Sequence, residues 1–463
     1  MNKRLFFIGL SCLTACAVGP DYKRPDFASD GDIAKALSLN GSAALVLRPD
    51  WYAAFDDPVL TGLVETAMAE NPTIEEGLHK LRRARRLLSA AEAGALPSFD
   101  VSAGYTKVKP SRNVAASVRE DYYTAGVDAS WEIDLWGADR RRVEAAGAAV
   151  LSAEATLDGL RSMIKAEVVA VYVKLRSAQR RLRLLRQTED MQESLTKIAE
   201  ARRMSGLSAQ TDALPVRIAA ETMKAKIPPL EQSVDAYKNA LAVLTGRLPD
   251  DPDFLAENGN GGNIVERTFL CDLSALYGIP ASVIRRRPDV RAAEAALISA
   301  NAEIGQAVAA LYPNVSLSAL LGFQSDAFSR LTSPNSHLVN LTPAVSLPLF
   351  HWNALTNAVE AAKESEAAQK AAYKNAVLSA VRDLKDAMTR VDKSYAAYLR
   401  NERAAVKTRS LTAERLKLHS SGLVPLSDAL TSVQDLLDAK STETESKAAV
   451  YQAVAAFYKA AGV

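Results

Sequence analysis

Few side chains in this 463-residue chain are of a type, and at a spacing, that could do chemistry. The clearest is Cys16. It follows Leu13, Thr14 and Ala15, at the end of an apolar run from Leu5 to Leu13 that is itself preceded by Lys3 and Arg4. A basic start, a short apolar core and small residues before a cut are the parts of a secretory signal. The run is too short to span a bilayer. Cleavage there would leave a thiol on the first mature residue, which is a nucleophile able to take an acyl-bearing group. The other two cysteines offer less, since Cys12 is lost with the signal and Cys271 then has no intrachain partner.

Leu13-Thr14-Ala15-Cys16 resembles a bacterial lipobox, so residues 1-15 are expected to be a lipoprotein signal peptide and Cys16 the site of lipidation. The remaining candidates for chemistry are weak. His79, His337, His351 and His419 have no metal-ligand spacing. "GNGGN" at 259–263 lacks the lysine and hydroxyl residue of a phosphate loop. No catalytic constellation, metal site or cofactor is therefore expected beyond the covalent lipid, and the chain reads as a non-enzyme. With 56 basic and 54 acidic residues the charge is almost balanced, so no nucleic-acid partner is implied.

What the elements must position is set by a duplication. Pro72 in "NPTIEEGL" matches Pro288 in "RPDVRAAE", Pro97 matches Pro313, and Gly206 in "SGLSAQTDAL" matches Gly422 in "SGLVPLSDAL". Each pair is 216 residues apart, and one offset held at three landmarks indicates a tandem repeat. The chain divides into a lipidated N-terminal and equatorial segment (16-70), a first repeat (71-245), an equatorial linker (246-285) and a second repeat (286-463). Each repeat reads as a helix, two strands, a very long helix, a turn near 206 or 422, and a return helix.

The strands are expected at 98-109, 122-135, 314-324 and 338-349. In the second of these, Tyr123, Ala125, Val127, Ala129, Trp131, Ile133 and Leu135 alternate with polar residues and Gly126, a period of two with one apolar face. Pro343 weakens the last strand, because proline cannot donate to a ladder. Such segments are long enough to cross a membrane obliquely, which takes about 9 to 11 residues; a soluble sheet with one wet face has the same pattern. Four strands leave two open edges, which lipid does not tolerate. Two chains would supply eight strands and a filled interior, three would supply twelve and a passage. In the long helices Ile164, Val168, Val171, Leu175, Ala178, Leu182 and Leu185 step by four and three, as do Val377, Val381, Leu384, Met388, Val391, Tyr395 and Tyr398. This is a coiled-coil seam. Prolines 215, 228 and 229 are expected to bend or interrupt the first return helix.

Taken together, "CAVGPDYKRP" from Cys16, "WEIDLWG" from Trp131, and "RRPDVRAAEAALISANAEIGQAVAALYPNVSLS" from Arg286 resemble the TolC-type outer-membrane factor family, in its lipoprotein branch that serves resistance-nodulation-division tripartite efflux pumps. The resemblance implies an α+β membrane protein: a homotrimer with a twelve-stranded outer-membrane β-barrel, four strands per chain, continuous with a long α-helical coiled-coil periplasmic tunnel. It implies a passive exit duct that carries small toxic compounds from an inner-membrane pump and a periplasmic adaptor, the membrane fusion protein. Ser205, Gly206, Leu207, Ser421, Gly422 and Leu423 would form the adaptor-docking turns, with Asp212 and Asp428 near the tip constriction. Ala17 lacks the acid associated with retention at the inner membrane, so the outer membrane and its lipid are the expected location. One departure stands out: Thr431 and Gln434 occupy positions where several members carry an acidic residue and an arginine that form a gate. A type I protein-secretion channel is the alternative cargo class, and a non-conducting periplasmic adaptor or spacer lipoprotein the alternative architecture.

Overall fold

The computed structural model of the chain describes residues 17–25, 27, 30–37, 48–109, 111, 113, 120–206, 209–249 and 282–463. Cys16, Cys271, Leu207, "GNGGN" and residues 250–281 of the 246-285 linker lie outside the described residues. The described helices are α1 (Asp30–Leu37), α2 (Pro58–Glu70), α3 (Pro72–Gly94), α4 (Ala138–Met204), α5 (Gln210–Lys224), α6 (Ile227–Leu244), α7 (Pro288–Ala309), α8 (Trp352–Ser420) and α9 (Leu426–Ala461), with a single turn at Val283–Arg286 before α7. The strands are β1 (Ser98–Val108), β2 (Glu120–Ile133), β3 (Asn314–Ser325) and β4 (His337–Ser346).

The 216-residue offset is visible in the backbone. Pro72 and Pro288 open α3 and α7, Ser98 and Asn314 open β1 and β3, Met204 and Ser420 close α4 and α8, and Gln210 and Leu426 open α5 and α9. Gly206 and Gly422 adopt φ of 72° and 76°, and Gly246 and Gly462 adopt 73° and 80°, so the left-handed caps recur at the same interval. The repeats part where proline intervenes. The return helix is continuous in α9 but breaks between α5 and α6 at Ala225 and Lys226, just before Pro228 and Pro229. Pro215 stays inside α5.

The chain forms two compact units. The first takes the described residues of Met1–Phe27 with His79–Ala155 and Arg291–Ala376, and holds the sheet. Its strands lie in the order β1-β2-β3-β4, all antiparallel. The pairing sets Val101 against Val127, Val127 against Leu321, and Leu321 against Val339. Phe99, Ala129, Ala319 and Leu341 form the next row. Because side chains alternate along a strand, this register places most apolar residues of the four strands on one face, with Leu320 and Leu338 on the other beside Asp128 and Asn340. Three strands end short of the sequence expectation, β1 by one residue, at Val108. β2 stops at Ile133 instead of Leu135, where the Leu135 N–H turns back to the Ile133 carbonyl at 2.8 Å. β4 stops at Ser346, the partner of the first residue of β3, so Leu347, Pro348 and Leu349 have no strand to pair with. Pro343 sits opposite Leu317 in β4, the last strand of the sheet within this chain.

The second unit takes the described residues of Ala28–Leu78, Thr156–Val290 and Val377–Val463, whose regular elements are helices. Most of the seam read from the sequence is buried: Ile164, Val168, Leu175, Ala178, Leu182 and Leu185 on α4, and Val377, Leu384, Met388, Val391 and Tyr398 on α8, while Val171, Val381 and Tyr395 are half-buried. A polar network fixes this packing. Tyr172 donates to Asp57 at 2.8 Å, Arg176 Nε donates to the Tyr172 hydroxyl at 3.0 Å, and Asp57 caps α2 by accepting from the Val59 and Leu60 amides. Among the described residues no helix is long and apolar enough to cross a membrane.

Candidate functional site

Three places in the fold have geometry that bears on function: the bare sheet, the anchored N-terminal strap and the helix-reversal turns. On the sheet, Val101 is 86% exposed, Val339 73% and Phe99 71%, and Val345, Leu341 and Leu321 are exposed as well. A water-facing sheet normally covers its apolar face with a second layer. Here the apolar face is open and so is the face carrying Asp100, Ser102, Asp128 and Asn340. Aromatic side chains flank the apolar rows. Toward the loops Tyr105 and Tyr123 lie 4.8 Å apart, with Phe328 5.7 Å from Tyr123. Toward the helices Trp136 stacks on Tyr312 at 4.6 Å, and Trp131 donates to the Ala95 carbonyl. Transmembrane β-barrels carry an apolar band between two aromatic girdles on their outer surface, and this face has the same arrangement.

The strap follows Cys16. The Val18 N–H donates to the Trp136 carbonyl at 2.9 Å, and a Cβ on Gly137, which has φ 82°, would fall 2.6 Å from Ala17 Cβ. Buried Arg141 donates to Asp21 at 2.9 Å and to Glu144 at 2.8 Å. Farther along, Arg24 holds the Glu294 carboxylate with two nitrogens, Tyr22 donates to it at 3.3 Å, and Phe27 meets Tyr373. Trp136 Nε1 also donates to the Pro313 carbonyl at 2.8 Å. Ala17 and Val18 are thus the partners of Trp136 and Gly137 in "WEIDLWG", and the residue after Cys16 is tied to the junction where β2 turns into α4. Periodicity could not reveal these contacts, which involve irregular backbone and single side chains.

At the second turn, the Gly422 N–H donates to the His419 carbonyl at 2.9 Å and the Leu423 N–H to the Leu418 carbonyl at 2.9 Å. These bonds satisfy the last carbonyls of α8, and they require the left-handed residue that Gly422 supplies. His419 Nδ1 faces the Val424 carbonyl at 3.1 Å; a carbonyl only accepts, so Nδ1 carries the proton. Ser421, Gly422 and Leu423 are exposed, with Leu423 at 72%. Asp428 is exposed in the first turn of α9, where an acid interacts favourably with the helix dipole. At the first turn the Ser205 and Gly206 amides return to Ala201 and Arg203 at 3.0 Å each. Asp212 sits in the first turn of α5, and Leu207 is outside the described residues. Thr431 donates to the Ser427 carbonyl of its own helix. Asp438 lies 3.6 Å from Lys226, an exposed pair worth little by itself. Among the described residues no group of three or more His, Cys, Asp or Glu is placed to hold a metal.

The long motif from Arg286 has a structural role that the sequence did not reveal. Buried Arg287 donates to both oxygens of Asp289, at 3.0 and 2.7 Å, and to the Ala460 and Ala380 carbonyls at 2.7 and 3.3 Å. It joins α7, α8 and the end of α9 through one guanidinium.

Comparison with known proteins agrees with this geometry. Nodulation protein T of Rhizobium leguminosarum bv. trifolii is 27% identical over 448 residues, covering 96% of this chain and 91% of that protein. Outer membrane protein OprJ of Pseudomonas aeruginosa is 29% identical over 414 residues, covering 88% of this chain and 83% of its own. The solved outer-membrane channel OprN superposes with a TM-score of 0.86 at 27% identity, over 96% of this chain and 99% of that one. The profile of the outer membrane efflux protein family matches twice, at residues 63–247 and 279–463, and both limits shift by 216 (63 to 279, 247 to 463). The chain therefore belongs to the outer membrane efflux protein family and is a transport protein of the outer membrane, an efflux channel.

Proposed function

We propose that three copies of this chain close a twelve-stranded barrel and form the exit duct of a tripartite efflux system. The observation that carries this reading is the four-stranded sheet with one continuous apolar face and two unpaired edges. In lipid, unpaired edge amides and carbonyls are costly, so β4 of one chain must pair with β1 of the next until the ring closes. Eight strands would fill the interior with side chains and twelve leave a passage. The polar face, with Asp100, Ser102 and Asp128, then lines water.

The same reading gives each remaining site a task. Cys16 carries the diacylglycerol; Ala17 is held against Gly137 at the helix end of the strands, so the acyl chains enter the bilayer at the barrel base. The helices continue the lumen toward the periplasmic adaptor and the resistance-nodulation-division pump of the inner membrane, which supplies the energy. Ser205, Gly206, Leu207, Ser421, Gly422 and Leu423 meet the adaptor, Asp212 and Asp428 narrow the tip, and the cargo is small toxic compounds. With Thr431 and Gln434 at the positions of the acid and arginine of other members, the tip opens without that pair.

Photocrosslinking in cells from Val424, and separately from Ser208, tests the docking. Capture of a membrane fusion protein paired with a proton-driven pump is expected at both. Capture of a secretion-type adaptor would move the cargo to proteins, and no periplasmic partner at either position would overturn the assignment of the turns.

A further inference from the structure

Leu347, Pro348 and Leu349 follow β4 and carry its apolar alternation onward, yet no strand of this chain reaches them. Both leucines are exposed. Their counterparts at the 216-residue offset are Trp131, Glu132 and Ile133, the last three residues of β2. Those three also lie beyond the reach of their hairpin partner, because β1 begins at Ser98 and Ser98 pairs with Ser130. They are strand because β3 pairs with them from the other side, with Trp131 opposite Leu317 and Ile133 opposite Val315. The end of β4 lacks that second neighbour.

The duplication specifies the neighbour. Shifting both members of a β1–β2 pair by 216 gives a β3–β4 pair: Ser98–Ser130 becomes Asn314–Ser346, and Val101–Val127 becomes Leu317–Pro343. The two hairpins are therefore equivalent in register. The contact between them, β2 against β3, has a counterpart only if β4 of one copy meets β1 of another, since β1 and β4 are the two outer strands of the sheet within one chain. A head-to-tail contact of this kind, repeated by one rotation, closes a ring. Exchanging the repeats in the β2–β3 pairs gives its register: Trp131–Leu317 becomes Leu347–Val101, and Ile133–Val315 becomes Leu349–Phe99. Each pair sets one exposed apolar side chain against another.

One side chain holds this register from outside the sheet. In the first repeat Trp136, just past β2, stacks on Tyr312 at 4.6 Å and donates to the Pro313 carbonyl at 2.8 Å, at the junction that opens β3. Its counterpart is Trp352, which is 48% exposed. The counterparts of Tyr312 and Pro313 are Leu96, 65% exposed, and Pro97, at the junction that opens β1. A tryptophan combines a large apolar surface with one donor, which suits it to anchor an interface. We infer that Trp352 seats on Leu96 and donates to the Pro97 carbonyl of the next copy, and that β4 runs on to Leu349 with Leu347 opposite Val101 of that copy. The inference rests on the barrel closure proposed above, to which it adds the register and the anchor. The helical unit shows the same asymmetry: Leu195 and Leu430 share an apolar cluster, whereas their counterparts Leu411 and Leu214 are exposed, as residues whose partner belongs to another copy would be.

The test is disulfide formation between copies in outer-membrane fractions, in a Cys271→Ser background. Residues directly opposite in an antiparallel pair have Cα atoms about 4.5–5.5 Å apart, which a disulfide can bridge, whereas diagonal neighbours at about 7–8 Å are out of range. Leu347→Cys/Val101→Cys should give covalently linked copies on a boiled, non-reducing gel, and Leu347→Cys/Ala103→Cys and Leu347→Cys/Phe99→Cys should run as single chains. A disulfide at a shifted pair, or at none of the three while the heat-modifiable trimer persists, would overturn the register and leave the barrel closure standing. Absence of the trimer in the Cys271→Ser background itself would overturn the closure and the inference with it. For the anchor, Leu96→Ala and Trp352→Ala should each lower the temperature at which the trimer band is lost, and the double variant should shift it by less than the two shifts added, because residues in contact are not independent. Additive shifts would show that the two side chains do not meet.

Discussion

Replacing Val101 by lysine separates a lipid-facing sheet from a water-facing one. Val101 lies in the row Val101–Val127–Leu321–Val339. This row is midway between the Trp131 and Tyr123 girdles, which are eight residues apart along β2. At about 3.4 Å per residue and a tilt near 40° the girdles are roughly 21 Å apart, so Val101 is close to the midplane. A lysine there costs about 2–4 kcal/mol in lipid. The three copies in the proposed trimer would together lose about 6–12 kcal/mol, enough to prevent assembly. On a water-facing sheet a side chain as exposed as Val101 would tolerate lysine within about 0.5 kcal/mol. Ser102 is the control, since it sits one residue away on the polar face. The assay is the yield of heat-modifiable trimer in outer-membrane fractions, and the temperature at which its band is lost. Val101→Lys should abolish the trimer band and Ser102→Lys should leave it near wild type. Equal behaviour of the two variants would refute the reasoning that puts this face in lipid.

Three further outcomes are expected. Gly422→Val places a β-branched residue at φ 76° and should cost about 1–2 kcal/mol or more, read as faster proteolysis near the tip and fewer crosslinks from Val424, whereas Gly422→Asn should be much milder. Arg287→Ala should cost about 2–3 kcal/mol, by removing a charged donor from Asp289 and from the Ala460 and Ala380 carbonyls; Arg287→Lys should recover only part of this loss, because one ammonium cannot reproduce the fork. Burial opposes ionisation of Asp289, but the hydrogen bonds and charge of Arg287 hold its carboxyl below the ordinary value, so its contribution is complete above about pH 4 and is lost as pH falls through that lowered value. Unfolding measured from pH 6 down to pH 2 should therefore show a wild-type loss that is smaller in Arg287→Ala. Cys16→Ser should end incorporation of labelled palmitate into the chain, and retained label would refute the assignment of the acylated residue.

Local pattern and repetition made much of this protein legible. Strand parity is encoded in alternation, because side chains of successive residues point to opposite faces regardless of the partner strand. That is why Val101, Val127, Leu321 and Val339 could be assigned to one face before any pairing was known. The seams on α4 and α8 follow from helical periodicity in the same way, and Gly206 and Gly422 mark turns because few other residues adopt their φ cheaply. The duplication needed only a constant offset.

Tertiary structure decided what depends on residues distant in sequence. The β2–β3 pairing joins the two repeats, and nothing local in either strand specifies it. The end of β4 is set by where β3 begins, so the apolar pattern through Leu349 overran the strand. The Arg24–Glu294 and Arg287–Ala460 contacts bridge 270 and 173 residues through single side chains, which leave no periodic trace. Sequence determines which face of an element is apolar because that is a property of consecutive residues, whereas the partner that covers the face or fills a pocket is a property of the folded chain as a whole.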